Sequence, residues 1–241
     1  MEIALFILLP FVAFLYASVG HGGASGYLAL MALVGVSSMY MKPTALILNL
    51  FVAGIAFLQF RRMGYFKWRL FYPFIITSIP AALFGGYLSI DGDIYKRILG
   101  VLLIFAVIRM LWKPNTENQE NSKIPILYGL IAGVLIGFFS GLIGIGGGII
   151  LSPLIIVFGW ANVKETAAVS ALFIWVNSFA GLVGLSISGF ELEPNYLLLI
   201  ALALLGGFGG AYFGGSILNS KKLVYLLTGL LALASIKLIL L

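Results

Sequence analysis

Two glycine clusters carry the most specific chemical signal in the sequence. The first spans residues 20–26 and reads GHGGASG, and the second spans 141–148 and reads GLIGIGGG. Each lies inside a long apolar run. Because glycine in a helix interior costs about 1 kcal/mol relative to alanine, such clusters predict breaks between helices. A helix that starts after a break directs free N–H groups and the positive end of its dipole at the break, where an anion can bind.

The residues in and beside these clusters form the candidate anion-binding set. Neutral donors can complete the solvation of an oxyanion in a dry site. The alternative for each serine or asparagine is a hydrogen bond between helices, and for the glycines it is close helix packing. We predict substrate binding by Gly22, Gly23, Ala24, Ser25, Asn49, Gly146, Gly147, Gly148, Ser170 and Asn177.

His21 lies within the first cluster and is the candidate for proton coupling, because an ionisable residue at membrane depth is expected to be functional. The alternative is a histidine at a wet loop tip with no coupling role. The chain contains one histidine and no cysteine, which excludes a thiolate nucleophile and a multi-histidine metal site. The apolar runs hold no acid pair and no Ser-His-acid set. We therefore expect that the protein is not an enzyme and that it has no catalytic site, no metal and no cofactor.

The composition places these clusters in a membrane. Hydrophobic residues make up 62% of the 241-residue chain and charged residues 9%, whereas a soluble domain has about 25% charged residues. Mean hydropathy is +1.14. The net charge of +6 sits in short loops between apolar runs, which favours membrane insertion over nucleic-acid binding. The chain start lacks the positive region of a cleavable signal peptide, so we expect the first run to be retained. Eight apolar regions are predicted, at 3–35, 43–60, 70–89, 95–112, 124–158, 164–186, 194–217 and 221–241.

A polar stretch at 113–123, reading KPNTENQENSK, predicts a linker between residues 1–112 and 124–241. Landmarks of the two parts recur at nearly constant spacing, which indicates a duplication rather than chance matches of small residues. With a shift of about 124 positions the matched pairs are Phe14 with Phe138, Gly20 with Gly144, Gly22 with Gly146 and Gly23 with Gly147.

The lysines and arginines decide how the two halves are related. Parallel halves would divide them eight to six between the two membrane faces, which is almost no bias. Inverted halves divide them ten to four, as the positive-inside rule requires. We predict an all-α polytopic membrane protein whose two homologous halves, of about four apolar regions each, form an inverted repeat. A glycine-broken or re-entrant helix opens each half, and both termini lie outside. The ten cytoplasmic residues would be Arg61, Arg62, Lys67, Arg69, Arg109, Lys113, Lys123, Lys164, Lys221 and Lys222.

Other features favour structural roles. The tryptophans Trp68, Trp112 and Trp160 lie near the ends of apolar runs and predict an aromatic belt. The remaining glycine pairs predict close helix packing. These pairs are Gly85-Gly86, Gly206-Gly207, Gly209-Gly210 and Gly214-Gly215.

The cluster at 141–148 is followed by Pro153 and by the stretch from Lys164 to Ser170. The cluster is duplicated, and a Lys-x-Thr-Ala turn follows each copy. In these features the chain resembles the TauE/SafE family of sulfite exporters. The resemblance covers Phe6 to Leu240, although the first cluster departs from a strict triple glycine at Ala24. It implies a multi-pass protein of a prokaryotic inner (plasma) membrane. The implied substrate is a small sulfur-containing anion such as sulfite, sulfoacetate or a related organosulfonate, moved by an ion gradient.

The expected function is therefore a secondary anion transporter that works by alternating access and is coupled to H+. An anion channel on the same scaffold is the alternative, and a structural subunit is a more distant one. The expected partners are the anion, the coupling ion and the lipid bilayer, with no nucleic acid.

Overall fold

The computed structural model describes residues 2–18, 23–111, 124–190, 194–217 and 220–240. Within this described part the chain forms ten helices and no strand, so the all-α prediction is confirmed. The predicted linker lies outside the described residues. The helices are α1 (Glu2–Ser18), α2 (Ala24–Val34), α3 (Ser38–Arg62), α4 (Trp68–Tyr87), α5 (Gly92–Leu111), α6 (Ile126–Ile143), α7 (Gly148–Val157), α8 (Val163–Ser188), α9 (Pro194–Ile217) and α10 (Ser220–Leu240).

The helix lengths fit a multi-pass membrane protein. Helices α3, α4, α6 and α8 are each long and apolar enough to cross a bilayer. Helices α5, α9 and α10 contain 20, 24 and 21 residues, which at 1.5 Å per residue gives about 30 Å or more. By contrast, α2 and α7 contain 11 and 10 residues, so each reaches only about half-way across. The glycine clusters thus divide the first and fifth apolar regions into a long and a short helix.

Helices α4 and α6 run side by side in the same direction. Gly129 lies against Pro73, and further along both helices Gly141 lies against Ala82. An added Cβ at Gly141 would collide with the backbone of α4. Close approach of this kind is what small residues permit between membrane helices.

Helices α1 and α9 form the corresponding pair. Gly206 lies against the backbone of Pro10 and Gly209 against the ring of Phe14, so these two helices also run in the same direction. In each half, the first helix therefore packs along the fourth helix of the other half. This exchange ties the halves together, and it confirms the packing role predicted for the glycines of α9 that the structure describes.

The α6–α7 segment enters and leaves on one face of the molecule. Helix α7 runs antiparallel to α8, because Gly148 lies against Ile174 while Ser152 bonds to Ser170 nearer the start of α8. The start of α8 in turn lies beside the α3–α4 connection, where α4 and hence α6 begin. The glycine-split segment therefore turns back on itself as a re-entrant segment does, which agrees with the prediction of an inverted repeat.

The α3–α4 connection and the start of α8 share this face through Lys164, whose Nζ lies 3.1 Å from the Tyr65 hydroxyl. The positive stretch 61–69 and Lys164 are thus on the same side, which agrees with the inverted division of charge. The start of α8 is fixed by a capping box, in which the Asn162 side chain accepts from Lys164 and Glu165 backbone N–H groups.

Lys42 and Lys237 lie within α3 and α10 and bond the ends of other helices, so the expectation that basic residues occupy loops is wrong for them. Lys42 is 7% exposed, and its Nζ donates to the carbonyls of Gly86 at 2.8 Å, Leu88 at 3.2 Å and Gly85 at 3.3 Å. The Lys237 Nζ donates in the same way to the carbonyls of Ala32 and Leu33, near the end of α2. The last carbonyls of a helix have no intrahelical donor, and a long cationic side chain supplies one.

The aromatic-belt prediction holds for one of its described residues and fails for another. Trp68 is 67% exposed, as a belt residue should be. Trp160 is 5% exposed, stacked on Phe158 at 4.9 Å and tilted against Phe74 at 6.0 Å between ring centroids. It lies in an apolar core with Phe74 of α4 and Ile155 of α7. Trp112 lies outside the described residues.

Candidate functional site

The two helix breaks have nearly the same backbone conformation where the half-helices start. Gly23 precedes α2 with φ 72° and ψ −14°, and Gly147 precedes α7 with φ 75° and ψ −14°. This left-handed conformation is one that glycine adopts readily and other residues do not. Among the described residues, no side chain caps the start of α2 or of α7. The first N–H groups of both half-helices therefore lack the side-chain acceptor that usually satisfies them.

The second break is enclosed by three helices. A Cβ at Gly146 would lie 2.8 Å from both the Asn49 amide nitrogen and the Ile174 side chain. A Cβ at Gly147 would lie 2.7 Å from the Ile136 side chain and 2.9 Å from the Phe173 ring. The space beside these glycines is therefore already filled from α3, α6 and α8.

Asn49 ties the second break to the long helices. Its side chain is fully buried, and Nδ2 donates to the Gly144 carbonyl at 3.4 Å and to Ser178 Oγ at 3.1 Å. Because a carbonyl can only accept, the amide nitrogen must face Gly144. Oδ1 has no partner among the described residues. The predicted site residue thus lies at the break and connects α3, the end of α6 and α8.

Serine hydroxyls surround the start of α7. Ser152 Oγ lies 2.9 Å from Ser170 Oγ, and Ser170 packs beside Gly148. Ser140, on the last turn of α6, packs beside Gly147. Its buried hydroxyl has no hydrogen-bond partner in the part of the chain that the structure describes. These neutral donors lie around the free N–H groups of α7, as an oxyanion would require.

Asn177 is placed differently from the other predicted residues. Its Nδ2 donates to the Phe173 carbonyl in its own helix at 2.8 Å, while its buried Oδ1 lacks a partner in the described part of the chain. Since Phe173 contacts Gly147, Asn177 lies one turn of helix beyond the break rather than against it.

The first break is lined by tyrosines. Ser25 Oγ donates to the Tyr16 hydroxyl at 3.1 Å, and the Tyr16 ring also fills the space beside Gly26. The Tyr27 ring turns back along α2, so that its hydroxyl lies against Gly23. Ala24 opens α2 and is buried. This break therefore presents phenolic hydroxyls where the second break presents serines.

Both breaks border one continuous apolar cluster, which includes Tyr16 and Tyr27 from the first break and Ile145 from the second. The structure thus brings Gly23, Ala24 and Ser25 together, and separately groups Asn49, Gly146, Gly147, Gly148 and Ser170. Gly22 and His21 lie outside the described residues. Among the residues that are described, no group of three or more histidine, cysteine, aspartate or glutamate side chains is placed to hold a metal ion.

Sequence reasoning missed Tyr16 and Tyr27, whereas Ser140 and Ser178 were among the neutral donors expected inside the apolar runs. A signal existed for Tyr16, because Tyr16 and Ser140 are equivalent under the 124-residue shift and place a hydroxyl on the last turn before each break. Tyr27 has Leu151 as its equivalent, so the repeat does not mark it.

Comparisons with known proteins agree with this architecture. Residues 5–238 match the sulfite exporter TauE/SafE family. A probable membrane transporter protein of Sinorhizobium fredii is 40% identical over 234 residues, which covers 95% of this chain and 94% of that protein. One from Methanocaldococcus jannaschii is 31% identical over 120 residues, 48% of this chain and 45% of its own. No solved structure matches the chain. The protein therefore belongs to the TauE/SafE sulfite exporter family of membrane transporters.

Proposed function

We propose that this protein is a secondary transporter that moves a small sulfur-containing anion, such as sulfite, sulfoacetate or a related organosulfonate, across the plasma membrane. The observation that carries the proposal is the pair of uncapped half-helices, whose starting glycines, Gly23 and Gly147, share one left-handed conformation. Two half-helix N-termini inside a membrane protein are a recurrent way to bind an anion near the midplane.

The donors around the second break suit a small oxyanion. Backbone N–H groups of α7, with Ser140 and Ser170 beside them, can donate to its oxygens without a full positive charge. The filled space beside Gly146 and Gly147 favours a compact head group. At the first break, Ala24 and Ser25 begin the second half-helix, and Gly22 is proposed to contribute its backbone. Asn49 holds the second break in place, and Asn177 lies a turn beyond it.

The proposed alternating access is supported by the arrangement of the halves, which we take as residues 1–112 and 124–241 joined by 113–123. Helices α3 and α8 pack together, and each half opens with a glycine-split pair of helices. Rocking of one half against the other would open the site to each face in turn. We propose that protons drive the cycle, with His21 at the first break as the coupling residue. Transport rather than catalysis is the proposed activity.

Uptake of radiolabelled sulfite and sulfoacetate into proteoliposomes, with and without an imposed pH gradient, tests this function. Saturable uptake that responds to the gradient is expected, and His21→Asn should abolish the response while saturable uptake remains. Flux that does not saturate would replace the carrier with an anion channel. No uptake of either anion by the unmodified protein would overturn the substrate assignment.

A further inference from the structure

Tyr27 places a buried hydroxyl at the start of α2. Its side chain is 0% exposed, and the hydroxyl has no hydrogen-bond partner among the described residues. The phenolic oxygen lies against Gly23, the residue that precedes the half-helix. The hydroxyl is therefore next to the uncapped N–H groups of α2 rather than elsewhere in the core.

Other buried tyrosines near the breaks are satisfied. The Tyr95 hydroxyl donates to the Ile143 carbonyl at 2.8 Å, and the Tyr16 hydroxyl accepts from Ser25 at 3.1 Å. A buried hydroxyl without a partner is unfavourable, and phenylalanine would fill nearly the same volume without that penalty. Tyrosine at position 27 therefore indicates a partner that the described residues do not provide.

The surroundings of the Tyr27 hydroxyl identify the chemistry of that partner. The N–H groups at the start of α2 can only donate, so whatever binds there must accept hydrogen bonds. The positive end of the helix dipole favours a negative charge at the same place. A phenolic hydroxyl beside these groups can add one more donor. The missing partner is therefore an anion with more than one acceptor atom.

We propose that Tyr27 is a substrate-binding residue, which donates its phenolic hydrogen to one oxygen of the transported oxyanion while the N–H groups of α2 bind another. This inference rests on the proposed function. The corresponding residue of the second half is Leu151, which has no donor. The two half-sites are therefore unlike, because the equivalent position at the second break supplies no phenolic donor.

The test compares Tyr27→Phe with Tyr95→Phe in the full-length protein. The sulfite KM for uptake into proteoliposomes is measured together with the increase in Tm that sulfite produces in detergent. Loss of a hydrogen bond to a charged group should raise the KM of Tyr27→Phe by about tenfold to a hundredfold. Its Tm without sulfite should equal or exceed that of the unmodified protein, since no bond is lost in the empty site.

Tyr95→Phe should show the opposite pattern, with a lower Tm and a smaller rise in KM than Tyr27→Phe, because the bond that it removes ends on the Ile143 carbonyl and not on the anion. An unchanged KM in Tyr27→Phe would overturn the role of Tyr27, as would a lowered Tm with an unchanged KM. If sulfite raises Tm without being transported, the proposed function fails, and the sulfite-dependent shift in Tyr27→Phe still decides the inference. Absence of both uptake and a Tm shift in the unmodified protein would overturn both.

Discussion

The break before α2 and the break before α7 have the same backbone conformation but differ in the side chains that surround it. At the second break, Gly146 and Gly147 contact side chains of α3, α6 and α8. At the first break, Gly23 contacts Tyr27 of its own half-helix, and Gly26 contacts Tyr16 of the preceding helix. The same conformation is thus enclosed by distant parts of the chain in one half and by sequence neighbours in the other.

The two breaks therefore differ in how firmly each half-helix is held. Filled space on three sides, with Asn49 bonded to the break, holds the second half-helix in a fixed position. At its start, the first half-helix is held among the described residues by two aromatic side chains, those of Tyr16 and Tyr27, and by the Ser25 to Tyr16 bond. We therefore expect the second break to be the rigid half-site and the first to be the one that adjusts.

The largest difference between the breaks is expected for alanine at the two equivalent glycines. Gly147→Ala combines left-handed strain of about 1–2 kcal/mol with overpacking of about 1–3 kcal/mol against Ile136 and Phe173. Gly23→Ala carries the same strain, but the nearest atoms to its new methyl group all belong to one side chain, that of Tyr27 in the same half-helix. In mixed micelles, the free energy of unfolding should fall by about 1–3 kcal/mol more in Gly147→Ala than in Gly23→Ala.

Gly35→Ala is the matched control for these two variants. Gly35 has φ 84° and nothing within 4 Å of an added Cβ, so it reports the backbone strain alone. The loss of unfolding free energy in Gly23→Ala should be close to the loss in Gly35→Ala. Equal losses at Gly23 and Gly147 would contradict the distinction between a rigid and an adjustable break.

The second prediction concerns the bond network that only the second break has. Asn49→Leu keeps the volume but leaves the Gly144 carbonyl without its donor and removes the bond to Ser178, for an expected loss of about 2–3 kcal/mol. Anion binding should weaken as well, because Gly146 loses its neighbour. Leu48→Met, a volume-conserving change at an adjacent buried position, should cost less than about 1.5 kcal/mol. A stable Asn49→Leu protein would show that the break does not depend on α3.

The sequence predicted the breaks because their cause is local. A run of glycines disfavours a helix whatever surrounds it, so both half-helix starts could be read from residues 20–26 and 141–148. The membrane fold was equally accessible, since hydropathy is a property of each segment. The partner of Asn49 was not accessible, because Gly144 lies 95 residues away and is reached only through packing of α3 on the end of α6.

Lys42 and Tyr27 show why the rest of the site was missed. Hydropathy treats a lysine as a mark of a loop, yet the long side chain of Lys42 reaches the end of α4 from within α3. Aromatic residues are common in apolar runs, so nothing in the sequence distinguished Tyr27 from a core tyrosine. Its significance lies in an absent bond, which only three-dimensional neighbours can show.

The third prediction compares the two lysines whose side chains bond the carbonyls at helix ends. Lys42 bonds three carbonyls at the end of α4, and its backbone also lies against Gly144. Lys237 bonds the Ala32 and Leu33 carbonyls at the end of α2. Replacement of Lys42 by methionine should cost about 2 kcal/mol, and Lys237→Met should cost less because fewer carbonyls lose a donor. Unfolding in mixed micelles measures both, and a larger loss for Lys237 would contradict the ranking.

The smallest expected difference lies between the two hydroxyl pairs. Ser25→Ala removes the bond to Tyr16 at the first break, and Ser152→Ala removes the bond to Ser170 at the second. Each bond joins neutral side chains in a membrane protein, so each loss should be about 0.6 kcal/mol, close to equal for the two breaks. Equality here would show that the contrast between the breaks comes from glycine packing and Asn49. A loss at Ser25 well above that at Ser152 would instead make the Tyr16 bond a principal restraint of the first half-helix, which would then be as rigid as the second.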